Sequence, residues 1–328
     1  MKITMAHGAG GRATGELIGR IFARNFDNEV LNQMEDSAVV PASGRIALTT
    51  DSFVVTPLTF PGGDIGRLCV CGTVNDLAMR GAVPKYLTCG FILEEGLDSA
   101  LLEALVASMA ATAREAGVTI VAGDTKVVEG HGGLYVNTAG VGFVPEGVEI
   151  SAARCAPGDA VLVSGDLGDH HACILSQRMG MQNGIRSDCA PLGGMVQELL
   201  AAGIQVHALR DVTRGGLATV LKELAEASGC SIALEETALP VNPQVRDFCG
   251  LLGLDPLYMG NEGKLVAVLP ASQAEEALAV LRRSKYGGRA ACIGTVGDEE
   301  PGLLTVRTAI GGRRALDVLQ DEGLPRIC

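Results

Sequence analysis

Five carboxylates in this sequence stand beside small or flexible residues: Asp51 in TTDS, Asp76 in GTVNDLA, Asp124 in AGDTK, Asp211 in LRDVTRGG and Glu262 in GNEGK. The pattern puts them where strands or loops end, and ligands of α/β proteins collect there. Carboxylates that converge repel one another unless a cation neutralises them. Hard oxygen donors suit Mg2+, which takes one or two carboxylates and completes its shell with phosphate oxygens. A single loop aspartate is ordinarily a cap or turn residue; five in such settings point to metal–phosphate chemistry. Lys126 follows Asp124 by two residues, so in an extended segment both side chains project to one face. An ammonium there is suited to clamp a transferring phosphoryl group, with an ordinary surface lysine as the plain alternative. Cys328 is the last residue of the sequence, in a stretch (DEGLPRIC) that has no periodicity. Taken alone, it reads as a chance thiol in a frayed tail.

Other motifs carry less. Residues 8–13 (GAGGRA) have a relaxed dinucleotide spacing, but the preceding KITMA is too short and polar for a central strand. GNEGK at 260–264 resembles a phosphate loop, yet Tyr258 takes the first glycine position and Leu265 the place of Ser/Thr. PGGDIG at 61–66 runs into a helix whose first amides are placed to meet a phosphate. Asp169–His170–His171 reads as a helix start with Asp169 as its cap, because adjacent helical histidines point apart and no HxxxH follows. No GxSxG elbow is present.

Composition excludes several classes of partner. A net charge of -12 repels nucleic acid and anionic lipid, and 3% aromatic residues leave little for base stacking. It also means that a nucleotide near carboxylates needs a divalent metal between them. The sequence opens without an apolar leader, and its longest apolar stretch, 101–113, is broken by Glu103 and Ser108, so neither a signal peptide nor a membrane span is expected. Ten cysteines without a CxxC fit buried thiols in a reducing cytoplasm.

The elements that must position the carboxylates are mixed. With 328 residues, 47% of them apolar, two α/β domains are expected, divided near residue 155: 1–155, 156–320 and an extended mobile tail at 321–328. In the first half, strands are expected at 45–50, 85–93, 118–122 and 134–144, with helices from 63–64 to 79 and after Asp98. The second half reads as strands at 159–165, 206–209, 231–234, 264–269, 290–296 and 303–307. Its helices are expected at 171–179, 191–201, 215–228 and 272–283.

HGAGG (7–11), TTDSFVV (49–55), FPGGDIG (60–66), CGTVNDLAMRGA (71–82), LTCGFILEEG (87–96), AGDTKVV (122–128), VSGDLGDH (163–170), LRDVTRGGL (209–217), GNEGKL (260–265) and the terminal LPRIC (324–328) together resemble the carbamoyl dehydratase HypE family. These are nickel–iron hydrogenase maturation proteins within the PurM-like ATP-binding superfamily. The internal motifs are shared loosely across that superfamily; the terminal PRIC is specific, and the likeness covers essentially the whole chain. The resemblance implies a two-domain PurM-like α/β fold of mixed sheets, with the N-terminal domain forming a homodimer interface and ATP near it. It implies that Asp51, Asp76, Asp124 and Asp211 bind Mg2+ with ATP, assisted by Asn75, Thr125 and Asn261. Lys126 and Glu262 then sit closest to the chemistry, and Cys328 carries the substrate. The implied reaction is ATP-dependent dehydration of an S-carbamoylated cysteine to a thiocyanate, with HypF as carbamoyl donor and the HypC–HypD complex as cyanide acceptor. His171 departs from related sequences, which often have a small residue there, and so puts any catalytic role for that loop in doubt. The general base stays open between Glu262, Asp76 and the Lys126 neighbourhood. Rival readings are another PurM-like enzyme acting on a small molecule, such as a phosphotransferase or cycloligase, and a non-enzymatic scaffold that only carries a modified cysteine. The carboxylate set argues against the scaffold.

Overall fold

The computed structural model describes residues 2–8, 12–33, 40 and 42–319. Helix α1 (Arg12–Leu17) passes through a π-helical turn (Ile18–Ala23) into α2 (Arg24–Phe26). A first sheet follows. Strand β1 (Arg45–Phe53) leads through the short ribbon β2 (Thr59–Phe60) and β3 (Gly63–Asp64) into helix α3 (Ile65–Met79). Strand β4 (Val83–Glu94), helix α4 (Ser99–Ala116), β5 (Thr119–Val128) and β6 (Leu134–Val144) complete it. The strand order is β1–β6–β4–β5, with β4 and β5 parallel and the other neighbours antiparallel.

Both long helices begin on the side chains the sequence suggests. The Asp64 carboxylate accepts from the Arg67 N–H, and the Asp98 carboxylate from Ala100 N–H. Such a cap is worth about 1 kcal/mol. Leu102, Leu105, Val106 and Met109 recur at helical spacing on α4 and are buried against the sheet and α3, each contributing about 1.5–3 kcal/mol.

The sheet has two unlike faces. Thr49, Asp51 and Phe53 point toward α3, whereas Ile46, Leu48, Thr50 and Ser52 point away from it. Ile46, Leu48, Ile92 and Val128 are exposed on the uncovered side.

The second half builds a seven-stranded sheet in the order β13–β12–β9–β11–β7–β10–β8. In chain order its elements are β7 (Asp159–Val163), α5 (Asp169–Arg178), α6 (Gly193–Ala201), β8 (Ala208–Asp211), α7 (Gly216–Ser228) and β9 (Ser231–Glu235). Then come α8 (Pro243–Leu252), β10 (Leu265–Pro270), α9 (Ala274–Arg283), β11 (Ala291–Gly297), β12 (Leu304–Arg307) and β13 (Arg313–Leu316). Residues of α7 pack on one face of this sheet and those of α6 and α9 on the other. Residues of α5 and α8 join the core of the first sheet, so the two halves share buried surface.

Several expectations need correcting. Asp51 and Asp124 lie inside strands rather than past their ends, whereas Asp76 lies within α3 as the helix expected up to residue 79 implies. Asp169 is the first residue of α5, not its cap; Gly168 holds that position. The start of α3 is no open phosphate site, because Asp64 already caps it and Ser187 packs against Gly62, with the Ser187 N–H bonded to Pro61 O.

Candidate active site

Asp51, Asp76 and Asp211 lie near enough to one another to feel each other's charge. Helix α3 delivers Asp76, whose carboxylate accepts from Thr49 Oγ1 at 2.7 Å, and Thr73, which donates to Asp51 at 3.0 Å. Thr73 also bonds the buried Thr138 at 2.5 Å, fixing α3 to β6. Asp211 ends β8, paired in register with Leu265 of β10. Asp76 and Asp211 line a cleft of about 340 Å³ together with Thr49, Arg80, Ser151 and Arg210. A second cavity of about 560 Å³ adjoins it through Leu48, Arg80 and Ser151 and adds Arg45 and Arg154. Carboxylates and arginines thus line the two cavities together.

The mutual repulsion anticipated for converging acids is present. Burial, then Asp76 and Asp51, push the Asp211 carboxyl up to about 7. Asp51 is also raised, by burial first and then Asp76, with the Thr73 hydrogen bond opposing. Asp169 is pushed up to about 7 by burial and then Asp188. An acid raised in the folded state keeps a proton that the unfolded chain has already released, so folding stability falls as pH rises from about 4 to about 7. Metal-free protein is therefore expected to melt at lower temperature at pH 7.5 than at pH 5, and Asp211→Asn to flatten that slope. Thermal melts in chelator across this range check it, and an unchanged slope in the variant contradicts it.

Glu262 lies behind this cluster. It is 3% exposed and does not line the cleft. Burial pushes its carboxyl well above the usual range, with Asp211, Asp188, Cys71 and Asp51 adding to the effect.

Four of the expected ligand residues are placed elsewhere. Asp124 and Lys126 pair with each other, Nζ to Oδ2 2.6 Å and to Oδ1 2.8 Å, on the uncovered face of the first sheet, about two-thirds exposed. That bond, more than any other influence, holds the Asp124 carboxyl below the usual range. Asn75 donates to Ala190 O (3.0 Å) and accepts from Leu192 N–H (2.7 Å). Asn261 accepts from Gly168 N–H (2.8 Å) and donates to Val212 O (3.1 Å). Both amides are buried and hydrogen-bonded to the main chain. Strand alternation puts Thr125 on the face opposite Asp124 and Lys126. Among the described residues, no three His, Cys, Asp or Glu side chains are grouped closely enough to hold a metal alone. Cys328 and most of the HGAGG and LPRIC motifs lie outside the described residues.

The sequence reading missed two sets of polar contacts. Asp188 and Lys264 form a buried ion pair at 3.0 Å beside Glu262; its only signal is the lysine that closes GNEGK. Arg67 of α3 bonds Cys189 O, Glu115 and Tyr286, tying the halves together.

The two halves match two family models: AIR synthase related protein, N-terminal domain, over residues 34–144, and AIR synthase related protein, C-terminal domain, over 156–306. Full-length similarity is closer. The carbamoyl dehydratase HypE of Cupriavidus necator is 52% identical, covering 100% of this chain and 95% of the relative. That of Escherichia coli strain K12 is 48% identical, covering 99% of each. The chain belongs to the carbamoyl dehydratase HypE family. A crystal structure of the hydrogenase maturation protein HypE in complex with ATP superposes with a TM-score of 0.95 at 49% identity, over 99% of both chains. A HypE–HypF complex contains a chain that matches at 0.81 and 47%, over 92% of this chain and 99% of that one. A thiamine-monophosphate kinase at 24% identity and TM-score 0.72 shares the HypE fold.

Proposed function

We propose that this chain dehydrates its own S-carbamoylated Cys328 to a thiocyanate at the expense of ATP, supplying the cyanide ligand of nickel–iron hydrogenase. The full-length similarity to HypE, extending through the terminal PRIC, carries this reading. A carboxamide oxygen is a poor leaving group. Transfer of the γ-phosphoryl group to that oxygen forms an O–P bond and releases ADP. Loss of phosphate with both amide protons then leaves the C≡N group, so that carbamoyl thioester and ATP give thiocyanate, ADP, phosphate and a proton.

Asp51, Asp76 and Asp211 would hold Mg2+, a role their hard oxygen donors suit, with the carboxyls of Asp51 and Asp211 raised by burial and by neighbouring acids. Bound there, Mg2+ would neutralise phosphate charge during transfer. Glu262 is assigned to take up an amide proton, because burial makes its carboxylate a strong base. Leu319, the last described residue, donates to Thr219 Oγ1 on the helix that follows Asp211.

A HypF-type carbamoyltransferase is the proposed donor and a HypC–HypD complex the proposed acceptor, in the reducing cytoplasm. A second copy is the proposed partner of the uncovered sheet face, where Ile46, Leu48, Ile92 and Val128 stand exposed. Asp124 and Lys126 share that face, so their contribution is assigned to the dimer, with Lys126 clamping phosphoryl oxygens across the interface. Leu48→Glu is expected to give a monomer by light scattering with at least tenfold lower turnover. A variant that stays dimeric counts against this interface. The reaction itself is tested by the mass of the C-terminal peptide after incubation with the carbamoyl donor: one water is expected to be lost only when ATP is present. ATP turnover with an unmodified Cys328 would favour a small-molecule PurM-like enzyme.

A further inference from the structure

The Asp188–Lys264 pair is not used by the reaction described so far, yet it brackets Glu262. Asp188 Oδ1 accepts from the Glu262 N–H at 3.1 Å, and Oδ2 accepts from Lys264 Nζ at 3.0 Å. The two side chains are 3% and 10% exposed. The strands of contact continue on either side: Ala190 N–H donates to Glu262 O at 3.2 Å, and Lys264 Nζ also reaches Gly263 O at 3.3 Å. Gly263 has no room for a side chain, since a Cβ there would lie 1.9 Å from Asp188 O. Segments 188–190 and 262–264 are therefore held together by main chain, with one carboxylate gripping residue 262 and the side chain two positions on. Asn261, just before Glu262, is locked to Val212 and Gly168, so Glu262 is fixed from both sides.

A buried charge pair with satisfied hydrogen bonds is weak evidence for stability, since an apolar replacement often serves as well. Its geometry here matches a different task. We infer that Asp188, with Lys264 as its counter-ion, is a positioning residue for the dehydration: it fixes the main chain from which the Glu262 side chain projects. The inference rests on the proposed role of Glu262. A displacement of about 1 Å at a catalytic group can cost about 100-fold in rate.

The test uses full-length protein carbamoylated at Cys328, with thiocyanate formation and ATP dependence measured under single-turnover and steady-state conditions. Asp188→Ala is expected to lower kcat about 100-fold with the KM for ATP changed less than twofold. Lys264→Met should do likewise, Lys264→Arg should recover most of the rate, and Asp188→Asn/Lys264→Met should exceed either single variant because no lone charge remains buried. If Asp188→Ala does not fold, Asp188→Glu, which keeps the charge but lengthens the side chain, carries the test with the same expected loss. Full kcat in folded Asp188→Ala or Asp188→Glu, alongside an inactive Glu262→Gln, overturns the inference alone. A KM for ATP that rises in step with the loss of kcat also overturns it, since the pair then serves only the nucleotide site. An active Glu262→Gln overturns the base assignment and, with it, the link from Asp188 to the chemistry.

Discussion

Cys328→Ser is expected to abolish thiocyanate formation while ATP binding stays at the wild-type level. A serine hydroxyl is a far weaker nucleophile than a thiolate at neutral pH, so the carbamoyl group is not accepted and no substrate for dehydration is formed. Nothing in the cleft is altered, because Asp51, Asp76 and Asp211 are placed by β1, α3 and β8. The measurement pairs the mass of the C-terminal peptide with nucleotide affinity. Loss of ATP affinity in this variant, or thiocyanate made without the thiol, defeats the carrier assignment.

Glu262→Gln is expected to leave the carbamoylated cysteine in place and cut its dehydration by about 100- to 10,000-fold, the span of a general base. Folding should survive. Glu262 is buried, and glutamine has the same size and adds no charge to a buried site. The Glu262 N–H bond to Asp188 is made by main chain and is untouched by the substitution. Single-turnover conversion after HypF-type carbamoylation gives the rate, and a thermal melt checks the fold. A variant that dehydrates at the wild-type rate moves the base elsewhere, with Asp211, whose carboxyl is pushed up to about 7 on the cleft wall, as the next candidate.

Much of the fold was legible because local signals agreed with the global answer. Asp64 and Asp98 start α3 and α4 as their cap chemistry requires. Period-3.6 and period-2 apolar patterns mark α4 and β6. Helix α8 carries equally local signals, with Asn242 capping it, Pro243 in its first turn and Gly253 closing it, although no helix is expected there from the sequence. Strand β13 (RRAL) has no strand-like alternation and exists because β12 offers it an edge.

For the site, the sequence by itself determined the kinds of group: hard oxygen donors, a lysine two residues from an aspartate, and a thiol at position 328, enough to resemble one enzyme family. Which of them meet was decided by tertiary structure. Asp51 and Asp124 look alike in sequence, yet strand parity turns Asp51 toward α3 and Asp124 to the uncovered face. Asn75 and Asn261 read as ligands but are consumed by buried carbonyls and N–H groups that only the folded chain brings to them. Asp188 and Lys264, 76 residues apart, become partners for the same reason. Burial raises the cost of an unmatched charge or hydrogen bond, and burial is a property of the packed chain rather than of any local stretch of it.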